Sequence, residues 1–210
     1  MNGRQRLLVP GAAALLALGA VLIVILSDSG PKGTGASPAV SGPSAEFEGA
    51  PIPGRVPAPP FTLTAQDGRP LSLGSLRGRE VVIAFPYTTC RDSCVVFAQQ
   101  IRGALDELAV APAVVFISAD PAADTPARVR SFLARVSLVG RASYLTGSPS
   151  QLSRIWREYH VRPASAGAAE YAKYATVLLL DGRGDERVLY GQEQLTPEAL
   201  SHDIRKLQAG

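Results

Sequence analysis

Three short apolar runs constrain the fold most strongly. They read VVIAF (81–85), AVVFIS (113–118) and TVLLL (176–180), and none of them alternates with polar residues. Runs of this length without alternation are typical of strands that are buried on both faces of a sheet. Helical patterns separate them, so the sequence predicts an α/β domain with a mostly parallel central sheet.

The predicted helices begin with clear signals. They cover residues 93–109, 126–137, 149–160 and 197–208. The last three each start with a hydroxyl residue followed by proline, which suits the N-cap and the first helical position. Ser148 is also followed by Gln151, which predicts a capping box.

Two turn signals complete the element order. Residues 61–73 alternate on both sides of Asp67-Gly68, which predicts an N-terminal β-hairpin. Residues 181–184 read DGRG and predict an antiparallel strand pair at one edge. The order is hairpin, β, α, β, α, short strand, α, β, β, α, which is typical of a thioredoxin-like fold.

The N-terminus predicts a membrane anchor. Residues 7–26 form an apolar run of twenty residues without a charge, which is long enough to span a hydrocarbon core of about 30 Å. Arg4 and Arg6 precede the run and favour a cytoplasmic N-terminus. We therefore expect residues 1–26 to be a cytoplasmic stub and transmembrane helix, and the protein to be single-pass in the cell membrane with an extracytoplasmic C-terminal domain. A cleaved signal peptide and a buried core helix are the weaker alternatives.

Residues 27–60 are rich in Gly, Ser, Pro and Ala and have almost no large apolar side chain. Because such a segment has little to bury, it is predicted to be a flexible linker. Residues 61–210 remain as the folded domain.

The net charge of +3 comes from scattered Arg without a basic block, so no nucleic-acid partner is expected.

Cys90 and Cys94 are the candidate site residues, for catalysis and for metal binding alike. They follow the first core strand and its loop, at the start of a predicted helix, where functional groups of open α/β sheets gather. The start of a helix stabilises a thiolate, and the i, i+4 spacing places both sulfurs on one side of the first turn. The pair could close a disulfide or hold Cu(I). A static disulfide or two buried free thiols remain the structural alternative.

The other polar candidates have simpler interpretations. We interpret His160 as a helix-end charge partner and His202 as a surface residue. Trp156 and Tyr159 are predicted to be packing residues, and the Asp120-to-Asp124 segment is interpreted as loop punctuation.

Four stretches together resemble the SCO/SenC family, whose thioredoxin-fold members are linked to copper delivery during cytochrome oxidase assembly. They cover about residues 60–195 and read FTLTAQDGRPLSLGSLRGREVVIAFPYTTCRDSC, ISADPAADTP, YLTGSPSQL and VLYGQ. Residues 85–94 look like the copper motif of the family, although Arg91 and Val95 stand where prolines are usual. The resemblance implies copper as the cofactor.

One departure from the family limits that implication. Copper-binding members complete the site with a histidine in a Tyr-x-Val-Asp-His-Ser type segment. Here that segment reads GAAEYAKYATVLLL, and the position falls between Lys173 and Ala175. Lys173 could stabilise a nearby thiolate electrostatically but cannot replace an imidazole for Cu(II). We therefore favour Cu(I) over Cu(II), with the absence of any cofactor as the other outcome.

The predicted function is assistance to copper-site assembly in cytochrome c oxidase, by thiol–disulfide exchange, Cu(I) transfer, or both. The expected partner is the oxidase subunit that carries the dinuclear copper site, or its assembly factors. One alternative is a copper-binding chaperone without turnover. Another is a thiol–disulfide protein or redox sensor unrelated to the oxidase. Whether the protein is an enzyme, namely a thiol–disulfide oxidoreductase, is left open. A peroxiredoxin is disfavoured because Tyr87 stands where the required threonine would be.

Overall fold

The computed structural model describes residues 47–90 and 93–210. The predicted anchor of residues 1–26 and the first part of the predicted linker lie outside these residues, as do Arg91 and Asp92. No helix in the described ranges is long and apolar enough to cross a membrane.

The described residues form one eight-stranded sheet with the order β1-β8-β7-β4-β5-β6-β2-β3. The strands are β1 (Ala50–Pro57), β2 (Thr62–Ala65), β3 (Pro70–Ser72), β4 (Val81–Ala84), β5 (Ala113–Ile117), β6 (Ala142–Thr146), β7 (Val177–Leu180) and β8 (Asp185–Tyr190). Among them, β4, β5 and β6 run parallel, and the other neighbouring pairs are antiparallel. The prediction of a mostly parallel sheet is therefore correct for these three strands and wrong for the rest. An apolar run indicates burial on both faces but carries no information about strand direction.

The three apolar runs occupy the middle of the sheet, as predicted. Every residue of β4, β5 and β7 is buried. Strand β4 lies between the other two, with Val81 opposite Ala113 on one side and opposite Leu180 on the other. The hairpin β2–β3 is also confirmed, and Gly68 in its turn has a positive φ of 84° that suits glycine.

Helices cover both faces of this sheet. They are α1 (Ser93–Asp106), α2 (Pro126–Arg135), α3 (Pro149–Glu158), α4 (Ala168–Tyr174) and α5 (Pro197–Ala209), with a short 3-10 helix at Leu73–Leu76. Buried residues of α1, α2, α4 and α5 share one core cluster with the two cysteines, whereas those of α3 belong to the cluster on the other face.

The predicted caps are confirmed. Thr125 accepts a hydrogen bond from the Arg128 amide at 3.4 Å, and Thr196 accepts one from the Ala199 amide at 3.1 Å. Ser148 begins α3 with the complete capping box. Helix α4 was not predicted, because its seven residues bury one side chain and therefore show no helical period.

Strand β1 corrects the predicted linker. Residues 47–60 were assigned to the flexible segment, yet Ala50 pairs with Leu189 and Pro51 pairs with Val188 of β8. Its side chains are mostly exposed, so backbone pairing and not apolar burial holds it in place. Amino-acid composition indicates whether side chains can be buried, but not whether the backbone pairs with a neighbouring strand. The composition of this segment therefore gave no sign of β1. The folded domain therefore begins before residue 61.

A buried carboxylate fixes the start of this edge strand. Asp203 of α5 is fully buried at 0% exposure. It accepts hydrogen bonds from the amides of Glu48 at 2.9 Å and Gly49 at 3.0 Å, and from the Tyr190 hydroxyl. One side chain thus joins the chain before β1, strand β8 and helix α5.

We predict that Asp203→Ala lowers the free energy of unfolding by about 3 kcal/mol, because it leaves several buried donors without an acceptor. Urea unfolding of the full chain measures this. Glu198→Ala, which removes an exposed carboxylate from the same helix, is the control and should change stability little. Equal stability of the two variants would contradict the role given to Asp203.

Candidate thiol–disulfide site

Cys90 and Cys94 are joined by a disulfide, with their Cα atoms 5.8 Å apart. Cys90 follows β4 after the five residues 85–89, and Cys94 lies in the first turn of α1. Both are buried, at 5% exposure for Cys90 and 1% for Cys94. The structure therefore brings the two predicted site residues together. Their catalytic and metal-binding roles stay predictions.

Hydrogen-bond donors surround the sulfur of Cys90. The amide of Cys94 donates to Cys90 Sγ at 3.1 Å, and the Ser93 hydroxyl lies 3.5 Å from the same sulfur, close enough to donate. Both donors belong to the first turn of α1, whose free N–H groups also favour negative charge. If the disulfide is reduced, charge on Cys90 is therefore stabilised where it forms.

The sulfur of Cys94 has a different neighbour. The Tyr171 oxygen of α4 lies 3.4 Å from Cys94 Sγ, and the Tyr171 hydroxyl donates to the Phe85 carbonyl at 2.7 Å. The ring packs edge-on against Tyr87, with 4.8 Å between centres. Burial, helped by the charges of neighbouring groups, raises the pKa of Tyr171 well above its usual range. The phenol therefore keeps its proton.

A buried carboxylate anchors the loop that follows β4 and carries Cys90 (residues 85–90), which we call the cysteine loop. Asp124 accepts hydrogen bonds from the Thr88 amide at 2.7 Å, from the Ser118 hydroxyl at 2.6 Å and from the Tyr144 hydroxyl at 2.7 Å. Burial, and then Asp124 itself, raise the pKa of Tyr144. Asp124 was interpreted as loop punctuation. Its acceptor role depends on groups that are distant in sequence, and the one hint was that Asp124 lies in the ISADPAADTP stretch that resembles the family.

The other polar candidates lie elsewhere. His160, just beyond α3, lines a cavity of about 400 Å³ with Glu158 and Glu186. His202 has its Nδ1 atom 2.9 Å from Asp203 and a half-exposed side chain. The Lys173 ammonium lies over the Tyr174 ring, 5.5 Å from its centre.

The donor set limits what metal the site could hold. Within residues 47–90 and 93–210, no group of three or more His, Cys, Asp or Glu side chains is arranged to hold a metal ion. The reduced cysteine pair would supply two thiolates, which are soft ligands of the kind that bind copper.

The order and pairing of the strands and helices, with a disulfide between the loop after β4 and the first turn of α1, define a thioredoxin-like domain. The thioredoxin domain of a thiol–disulfide oxidoreductase from Bacteroides vulgatus has the same fold, with a TM-score of 0.57 over 74% of this chain and 97% of that domain at 13% identity. The predicted thioredoxin-like fold is thus confirmed.

The chain belongs to the SCO1/SenC family, whose model matches residues 52–209. A candidate copper-binding protein from Stutzerimonas stutzeri is 31% identical over 162 residues, which are 69% of this chain and 78% of that protein. The resemblance seen in the sequence is therefore confirmed at the level of the family.

Solved Sco structures match the same domain. The copper-bound ScoI of Bradyrhizobium japonicum is 26% identical, with a TM-score of 0.55 over 72% of this chain and 99% of that one. BsSco, a member of the Sco family of cytochrome c oxidase assembly proteins in which a disulfide switch was identified, is 21% identical, with a TM-score of 0.58 over 75% of this chain and 96% of its own.

We predict that Asp124→Ala lowers the free energy of unfolding by about 3 kcal/mol, since the Thr88 amide and two hydroxyls lose their buried acceptor. Denaturant unfolding of the oxidised chain measures the loss. Asp120→Ala is the matched control, because the half-buried Asp120 carboxylate accepts a single bond, from the Ala123 amide at 3.2 Å. An Asp124 variant as stable as the Asp120 variant would show that the loop is held by other contacts.

Proposed function

We propose that this protein assists copper-site assembly in cytochrome c oxidase by thiol–disulfide exchange through Cys90 and Cys94. The observation that carries the proposal is the buried disulfide at the start of α1, whose two sulfurs have unequal surroundings. Membership of the SCO1/SenC family supports the oxidase context. The relative BsSco belongs to a family of cytochrome c oxidase assembly proteins.

The unequal surroundings give the two cysteines different tasks. Cys90 has donors that stabilise a thiolate and is the less buried of the pair, so it is the attacking sulfur. Cys94 is packed beneath it and acts second. Its amide donates to Cys90 Sγ, and its own sulfur lies at bonding distance from that atom. Cys94 is therefore placed to attack the Cys90 sulfur when Cys90 is in a mixed disulfide with the partner.

The exchange balances as a two-electron transfer. The Cys90 thiolate attacks one sulfur of a disulfide on the partner, and the other partner sulfur leaves as a thiolate. Cys94 then attacks the Cys90 sulfur, which closes the internal disulfide and releases the second partner thiolate. The partner leaves with two thiols able to take copper, and a dithiol reductant regenerates the pair.

Copper transfer is the second candidate, and the relatives favour it. One carries a name that refers to copper binding, and another was solved with copper bound. In this protein copper would be cargo, as Cu(I) held between the two reduced thiolates. The partner would be the oxidase subunit that carries the dinuclear copper site, or one of its assembly factors.

The location follows from the N-terminal segment. The uncharged run of residues 7–26 would anchor the chain in the cell membrane, with residues 47–210 on the extracytoplasmic side. A disulfide persists in that compartment, which agrees with the oxidised pair.

We predict that Cys94→Ser traps a covalent mixed disulfide with the oxidised copper subunit of the oxidase, because Cys90 can attack but nothing completes the exchange. Cys90→Ser is the matched control and should trap far less. Non-reducing electrophoresis followed by mass spectrometry identifies the bonded sulfurs. Equal trapping by both variants would refute the division of tasks, and trapping by neither would refute exchange with this partner.

We also predict that the anaerobically reduced protein binds one Cu(I) per chain and retains little Cu(II). Competition with a chromophoric Cu(I) chelator measures the first, and thiolate charge-transfer absorption reports the second. Either single Cys→Ser variant should lose the tight Cu(I) site, since two thiolates hold the ion. Stoichiometric Cu(II) with strong charge-transfer absorption would show that a further ligand completes the site.

A further inference from the structure

We propose that Tyr171 is a positioning residue that favours the reduced form of the Cys90–Cys94 pair, by offering Cys94 a hydrogen bond that the disulfide cannot use. The inference rests on the proposed thiol–disulfide exchange and deepens it, because it identifies a group outside the cysteine loop that biases the redox equilibrium.

In the oxidised protein the contact between Tyr171 and Cys94 contributes little, because neither atom donates a proton to the other. A phenol has one proton, and that of Tyr171 goes to the Phe85 carbonyl at 2.7 Å. A disulfide sulfur has no proton to give. The 3.4 Å approach of the two atoms is therefore a contact without a conventional donor.

Reduction turns this contact into a hydrogen bond. The S–S bond breaks, the two sulfurs together take two electrons and two protons from a dithiol, and that dithiol becomes a disulfide. The Cys94 thiol can then donate to the Tyr171 oxygen, whose lone pairs are free. The result is a continuous chain from Cys94 through Tyr171 to the Phe85 carbonyl, in which each bond polarises the next.

Cys94 depends on this partner more than Cys90 does. Cys90 accepts from the Cys94 amide and has Ser93 nearby. In the part of the chain that the structure describes, the Tyr171 hydroxyl is the one polar side-chain group in hydrogen-bond contact with Cys94 Sγ. At 1% exposure, Cys94 also has almost no access to water. A reduced Cys94 without Tyr171 would be left unsatisfied, which disfavours reduction.

The Tyr171 oxygen is held where the bond needs it. The residue is buried, its ring packs against Tyr87, and its hydroxyl is tied to the backbone of Phe85 at the end of β4. Phe85 follows β4 directly, so the Tyr171 acceptor is anchored to the backbone next to this rigid strand. The hydrogen bond in the reduced state thus forms with little ordering cost.

The full chain carrying Tyr171→Phe tests the inference. The fraction of reduced pair is measured by thiol alkylation and mass spectrometry after equilibration in dithiothreitol buffers of graded redox ratio at one pH. We expect the equilibrium constant for reduction to fall about threefold, the size of one weak neutral hydrogen bond. An unchanged constant, or one that rises, overturns the inference.

Tyr159→Phe is the matched control. The Tyr159 hydroxyl also donates to a backbone carbonyl at 2.7 Å, that of Pro59, but it packs with the core cluster on the opposite face and makes no contact with sulfur. Both variants lose the same kind of bond, so a general loss of stability would affect them alike. We expect the redox equilibrium of Tyr159→Phe to match that of the unaltered protein, and an equal shift in both variants overturns the inference.

A second measurement does not depend on the folding of the Tyr171 variant. In reduced Cys90→Ala protein, which gains no new acceptor beside Cys94, Cys94 is the one remaining thiol, and its infrared S–H stretch should lie below the frequency of a thiol without a hydrogen bond. A stretch at the free-thiol frequency overturns the inference. The proposed function fails separately, if the unaltered pair equilibrates with dithiothreitol but never exchanges with the oxidase subunit.

Discussion

The burial of β4 on both faces is the constraint on which the rest of the structure depends. Its four residues are paired with β5 on one edge and with β7 on the other, and all four side chains are buried. Neither the edges nor the faces of β4 therefore meet solvent. Such a strand cannot slip by one residue without leaving its backbone groups and side chains mismatched. The residue that follows it, Phe85, is therefore fixed in space, and the cysteine loop begins from a rigid point.

Two buried polar groups fix the conformation of the cysteine loop that begins at this point. Asp124 holds the Thr88 amide from one side, and Tyr171 holds the Phe85 carbonyl from the other. Each comes from a separate connection, one after β5 and one from α4 before β7. The loop between β4 and α1 is thus held by contacts distant in sequence, and the two sulfurs acquire different surroundings although they are four residues apart.

The sequence predicted much of this arrangement and failed at identifiable places. Long apolar runs, hydroxyl-proline caps and the Asp67-Gly68 turn predicted the central strands, the helix starts and the hairpin correctly, because each signal is local and strong. Strand β1 was assigned to a linker, since its stability comes from backbone pairing and from the Asp203 carboxylate of a helix about 150 residues away. Helix α4 was missed because it is short, and with it the approach of Tyr171 to Cys94.

The sequence by itself determined the three central strands, the hairpin, the starts of the capped helices and the family resemblance. It also placed Cys90 near Cys94, because a separation of four residues at a helix start puts both side chains on one side of the first turn. The tertiary structure decided the direction of the strands, the true beginning of the domain and the difference between the two sulfurs. Strand direction depends on the end of the sheet to which each connection returns the chain, and the environment of a sulfur depends on groups from several connections. Neither is encoded in a local pattern, and both are fixed when the core packs.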